Sequence, residues 1–161
     1  MRILVMIAVC GCFLLAAPAP SNAQDEQRAP GGVISRIQPE DLASILTAAG
    51  YRSQVQSDNT GKYVATTMSG YSVLVFLYDC KAQGCSSIQF WTGFGADQAL
   101  NLEFANAWNT QWRFAKDNLD DQGNFIFTYD IMLDGGVSAE NIKVGAGLFD
   151  YLLGELNQFS P

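Results

Sequence analysis

Few residues in this chain carry reactive chemistry, and the first of them are two cysteines. Cys80 and Cys85 stand across the short segment Lys81-Ala82-Gln83-Gly84. Thiol redox catalysis calls for a closer Cys-x-x-Cys pair at a helix N-terminus, and zinc calls for histidines or a second cysteine pair. The chain has no histidine. In an exported protein, an even pair placed where two strands meet is read as a structural disulfide, and closing so small a ring removes unfolded-state entropy worth ~2 kcal/mol.

The acids come next. Asn118, Asp120, Gln122 and Gly123 imitate the leading positions of an EF-hand loop, but Tyr129 falls where that loop needs its closing bidentate Glu, and the flanks read as strands. Asp120-Asp121-Gln122-Gly123-Asn124 is therefore read as a hairpin turn. The same placement keeps Asp120 and Asp121 out of the walled cleft that glycoside hydrolysis needs. Without histidine, the commonest general acid-base group is gone, and serine triads and histidine-held metals go with it. No phosphate-cradling glycine loop, dinucleotide fingerprint or nucleophile elbow is present. No catalytic residue, metal or cofactor is assigned, and the chain reads as non-enzymatic.

The remaining candidates are binding residues. On a helix capped by Asp97, Leu100, Phe104, Ala107, Trp108, Trp112 and Ala115 share one broad face, with Asn106, Asn109 and Arg113 as a polar stripe opposite. That stripe could bind a ligand or simply meet water. Trp91, on a neighbouring strand, completes the candidate set.

These residues need elements to hold them. Pro39-Glu40-Asp41 opens a short helix with Leu42, Ile45, Leu46 and Ala49 on one face, and Gly50 ends it. Tyr51 to Gln56, Lys62 to Met68, Tyr71 to Tyr78 and Ser87 to Phe94 read as a four-strand antiparallel meander joined by short turns. The third of these is apolar on both alternating faces, which predicts a central strand covered on both sides. After the aromatic helix, strands are expected around Arg113 to Asp120 and Asn124 to Leu133, the latter with Phe125, Phe127, Tyr129, Ile131 and Leu133 on one side. Gly135-Gly136 turns the chain into a last helix started at Ser138. Gly145, Gly147 and Gly154 within it each cost up to ~1 kcal/mol relative to Ala. Close packing on the sheet would compensate, and so would close approach of a second subunit.

Upstream, Arg2, the uncharged apolar run Ile3 to Ala17 and the small-x-small site Ser21-Asn22-Ala23 form a signal peptide over residues 1–23, too short in its apolar part to span a membrane. Residues 24–36 read as a flexible leader, and 37–161 as a single domain. Export places the mature protein in the periplasm or outside the cell. The chain carries 16 acids against 9 cations, a net charge of -7. Losing Arg2 takes the mature chain to about -8, a charge that repels nucleic acid and anionic lipid.

Gly50-Tyr51, Asn106-x-x-Asn109 leading into Arg113-Phe114, Asp121-x-Gly123, and Gly135-Gly136-Val137-Ser138-x-Glu140-Asn141 together resemble the YbjN family of bacterial sensory transduction regulators, over roughly Ile37 to Phe159. The resemblance implies an α+β fold of the type III secretion chaperone kind, an antiparallel sheet packed against helices in the order α-β-β-β-β-α-β-β-α. It further implies protein binding and a homodimer, here through the last helix, and it supplies no catalytic residue. This sequence departs from the cytoplasmic members it resembles by its signal peptide and the Cys80 and Cys85 pair. The leading expectation is an exported regulatory domain that offers a sheet face or edge to a protein partner. The alternative is a periplasmic small-molecule sensor with an apolar pocket between sheet and long helix, lined by Trp108, Trp112 and Phe127. A third reading, a minor hydrolase, requires two acids converging in one cleft.

Overall fold

The computed structural model describes residues 32–159. The expected signal peptide and residues 24–31 of the expected leader lie outside the described residues. Helix α1, Pro39–Ala48, has proline in its first turn beside Glu40 and Asp41, and buries Leu42 and Leu46. Gly50 follows at φ +97°, a left-handed position that suits glycine and stops the helix. Strands β1 (Gln54–Asp58), β2 (Gly61–Met68), β3 (Tyr71–Tyr78) and β4 (Ser87–Phe94) form the meander. Helix α2 (Leu102–Gln111) leads into β5 (Lys116–Leu119) and β6 (Phe125–Met132), and α3 (Ala139–Leu156) closes the chain.

All six strands join one antiparallel sheet in the order β1-β2-β3-β4-β6-β5. Register sorts the side chains. Val64 stands opposite Val75, and Val75 opposite Phe90. These three, with Ile88, Phe125, Phe127 and Ile131, line the buried face. The helices cover this face only: Phe104 of α2 meets Phe125 at 5.5 Å, Trp108 meets Phe127 at 5.5 Å, and Phe149 of α3 meets Phe90 at 5.5 Å. Each fully buried aromatic or leucine contributes about 1.5–3 kcal/mol over its exposed state, so the single core under the helices supplies the fold's stability.

Several expectations need correction. β3 is covered on one side, not two: Val73 and Val75 are buried, whereas Leu74 and Phe76 on the other face are half-exposed. Its second apolar face belongs to an open sheet surface. β1 begins at Gln54 rather than Tyr51, because the Tyr51 hydroxyl is drawn under α3 to donate to Asp150 Oδ2 at 3.2 Å. Burial, helped by that carboxylate, pushes the Tyr51 phenol up to about 12. The N-cap of α2 is Asn101, whose side chain accepts from Phe104 N at 3.0 Å, while Asp97 caps only a turn through Ala99 N. α2 is also shorter than its apolar spacing suggests, since the chain leaves helical geometry after Gln111 and Phe114 takes φ +77°. Finally, the end of the expected leader is held: Ile34 exchanges backbone hydrogen bonds with Val137 at 2.7 and 2.9 Å.

The glycines of α3 divide. A methyl group on Gly145 would come within 2.5 Å of Ile131 Cδ1, so this glycine lets α3 lie close on β6. Gly147 and Gly154 have room for one, facing Tyr51 and Ser69. The tight packing that calls for glycine is internal.

Candidate functional site

The open face of the sheet is built by strand alternation. Residues paired across it run Gln56-Tyr63, Phe76-Gln89 and on to Asp130 in one row, and Ala65-Leu74-Trp91-Thr128-Lys116 in the next. Tyr63, Leu74, Phe76, Trp91 and Ile126 are all half-exposed. Phe76 sits at the middle of an aromatic ladder, 5.8 Å from Tyr63 and 6.1 Å from Trp91. The Trp91 indole lies along its own strand over Gly93, where a methyl group would be 2.6 Å from the ring. Glycine there lets the ring lie flat. Clefts of about 340 Å³ beside Tyr63 and Phe76, and about 260 Å³ beside Trp91 and Ile126, flank the ladder.

Charge is scarce on this surface. Within these rows only Asp130 and Lys116 are ionic, although the chain as a whole carries 16 acids. Tyr78 and Asp130 both bond to Gln89, at 3.0 and 2.9 Å, which draws one of the two charges into a polar rim. An aromatic centre with few charges and a polar rim is the composition of a protein-binding patch.

The candidate residues do not meet in one place. Trp91 lies on the open face, whereas α2 lies beneath the sheet. Asn106 is exposed on α2. Asn109 is occupied structurally: its Nδ2 donates to Asp117 O at 2.8 Å and its Oδ1 accepts from Asp117 N at 3.0 Å, which ties β5 to the helix. Arg113 lies beyond the helix end, its guanidinium 4.8 Å from the Phe114 ring centre. The expected pocket lined by Trp108, Trp112 and Phe127 is filled. Trp108 and Phe127 are fully buried, and Phe159 stands 5.3 Å from the Trp108 ring.

Asp117 went unnoticed in the sequence. It is 5% exposed, and neither carboxylate oxygen has a hydrogen-bond partner. Burial pushes its carboxyl up to about 8. Asp120, by contrast, accepts from Gln122 N and Asn124 N, each at 2.9 Å, and from Asn124 Nδ2 at 2.8 Å. These bonds, the Asn124 side chain foremost, hold its carboxyl below the usual range and make the segment a hairpin turn. Cys80 and Cys85 are joined, with sulfurs 2.11 Å apart. Their loop clasps the start of the domain: Ile37 and Cys85 exchange backbone bonds at 2.9 Å, and Arg36 Nη1 donates to Asp79 O and Gly84 O at 3.0 and 3.2 Å.

A single antiparallel sheet backed by helices on one face and open on the other is an α+β architecture suited to binding through the sheet. Among known structures it is similar to a Yersinia pestis type III secretion chaperone, SycH, in complex with a stable fragment of YscM2. The two share 11% identity over 76% of this chain and 98% of that one, with a TM-score of 0.51. It is also similar to the crystal structure of YbjN from E. coli, described as a putative transcription regulator, with 13% identity over 78% of this chain and 91% of that one and a TM-score of 0.60. The YbjN family profile, described as "Putative bacterial sensory transduction regulator", matches residues 38–148. The chain belongs to the YbjN family. No curated protein sequence matches it significantly.

Proposed function

We propose that this protein is a non-enzymatic, exported regulatory domain that receives a protein partner on the open face of its sheet, around Tyr63, Leu74, Phe76 and Trp91. The observation that carries the reading is the half-exposed aromatic ladder on a charge-poor surface of an acidic chain. Family membership and the likeness to a chaperone solved with a protein fragment support protein binding. The signal sequence and the joined cysteines support a periplasmic or secreted location.

A photo-crosslinking residue placed at Phe76 or Trp91, with Leu102 on the helical side as control, tests the reading in the exporting cell. A discrete adduct from the sheet positions alone is expected. Adducts from Leu102 alone, or from none of the three, would end it. A homodimer through α3 is a second reading, favoured by Val144 and Tyr151, which are 62% and 55% exposed and share an outer stripe with Leu148. Light scattering that gives a dimer, converted to monomer by Val144→Glu, is the expected result for it, and a concentration-independent monomer would refute it.

A further inference from the structure

The described residues contain four buried side-chain polar atoms without a hydrogen-bond partner, and all four lie at the seam between α2 and β5: Trp108 Nε1, Trp112 Nε1, and both oxygens of Asp117. Buried polar groups are nearly always paired, and each unpaired one costs about 1–3 kcal/mol. A cluster of them is a place where a water or a ligand finds hydrogen-bond partners. The two indoles are stacked, with centroids 5.0 Å apart and planes at 17°. A cleft of about 500 Å³ opens beside Trp112, with Asn109, Phe114, Lys116 and Asp117 also among its walls. Phe114, at φ +77°, is in a conformation rare for an aromatic residue and is 55% exposed.

We propose that this cleft binds an organic cation, a protonated amine or a guanidinium, which the Asp117 carboxylate holds against the Trp112 indole. Once it gives up its proton to solvent on binding a cation, the carboxylate can accept several hydrogen bonds, and the fold supplies none, so a ligand here must bring donors. An ammonium or guanidinium brings them together with the charge that a desolvated carboxylate lacks. The indole face adds a cation–π attraction. The protein's own nearby cations do not fill the role. Lys116 lines the same cleft but does not bond to Asp117, whose oxygens have no hydrogen-bond partner, and Arg113 is stacked on Phe114. An acceptor next to the cationic centre, such as the carbonyl of an amino-acid amide, would also meet the Trp112 N–H. The long-range field helps, since the chain is acidic overall. The cleft lies at the β5 edge of the sheet, where Lys116 and Thr128 carry its rim onto the open face.

The cation could be a free small molecule or a lysine or arginine side chain of another protein, and the test separates them. Agmatine, lysinamide and the tripeptides Gly-Lys-Gly and Gly-Arg-Gly are titrated into the oxidised, mature protein while the three tryptophan indole N–H resonances are followed, with n-butanol as neutral control. The Trp112 resonance should shift saturably and Trp91 should not. Asp117→Asn, which removes the charge and keeps the shape, should weaken binding at least tenfold. Binding of the free amines assigns the site to a small molecule, and binding of the tripeptides alone assigns it to a partner's side chain. Absence of a saturable shift with all four cations, an equal response to n-butanol, or unchanged affinity in Asp117→Asn would overturn the proposal.

Discussion

Replacing Asp117 with asparagine should make the free protein more stable, by an amount that grows with pH. The carboxyl, ordinarily near 3.8, is pushed up to about 8 in the fold by burial alone. Between those values the folded state holds a proton that the unfolded state releases. Stability from this group is therefore complete below the unfolded value and lost as pH rises toward the folded one, at ~1.4 kcal/mol per pH unit. By pH 7 the accumulated loss has a ceiling of ~4 kcal/mol. A buried amide without partners has its own cost of about 1–3 kcal/mol, which leaves a net gain for Asp117→Asn of ~1–3 kcal/mol at neutral pH. Urea unfolding of both proteins, disulfide intact, at pH 5, 6 and 7 provides the measurement. The other carboxylates, including Asp120 and the Glu40 that pairs with Lys62 at 2.6 Å, cancel in the difference. The difference should widen by about 2–3 kcal/mol from pH 5 to pH 7. A flat difference, or a variant less stable than the parent at pH 7, would show that Asp117 is ionised and paired in the fold, and the reasoning would fail.

Gly145→Ala and Gly147→Ala should move stability in opposite directions. At Gly145 the new methyl meets Ile131 Cδ1 at 2.5 Å and Tyr129 Cε1 at 3.3 Å, and overpacking of ~1–3 kcal/mol outweighs a helix-propensity gain of up to ~1, whereas Gly147 has open space and takes the gain. Thermal unfolding of the pair checks this. Asn109→Ala removes both hydrogen bonds to the Asp117 peptide and should cost ~2 kcal/mol in denaturant unfolding, with early loss of amide protection confined to β5. Reducing Cys80–Cys85 should cost ~2 kcal/mol and speed hydrogen exchange at the Ile37 amide, which is bonded to Cys85 O at 2.9 Å.

The strands were legible where one face is buried. In β6 and just past it, Phe125, Phe127, Ile131 and Leu133 do face the core, with Tyr129 half-buried beside them, because alternation is imposed by the pleat whatever the tertiary context. The starts of α1 and α3 were legible too, the latter at Ser138, which accepts from Asn141 N at 3.1 Å, whereas the cap of α2 was not. What resisted reading depended on neighbours distant in sequence. Leu74 and Phe76 look like core residues in a local window, since apolarity on both faces of a strand does not say whether a second layer exists. The end of α2 was hidden because Trp112 and Ala115 continue its spacing, while the turn at Phe114 is set by docking β5 against the sheet. Asp117, between Lys116 and Asn118, reads as solvent-facing, and the side chain that brings its peptide against α2 is Asn109, eight residues earlier. Of the candidate stripe, Asn109 is taken up in holding β5 to α2, while Asn106 and Arg113 stand apart from that contact.

The one-sided core makes the functional reading separable from folding. Every helix packs beneath the sheet, so Tyr63, Phe76 and Trp91 contribute to stability only through each other and the strands that carry them. Cross-strand pairs of this kind are worth ~0.2–1 kcal/mol each, against about 3–5 kcal/mol for truncating a core aromatic such as Phe90 or Phe149. A polar replacement at Phe76 should therefore leave the fold intact while removing the centre of the patch. A domain that needed the open face for its own stability would have covered it or charged it, as natural sheets do with exposed strands. Here the edge strand β5 carries Lys116, yet the centre of the face remains aromatic. Retained apolar surface beside a guarded edge is the arrangement expected of a sheet that excludes other sheets while admitting a side-on partner.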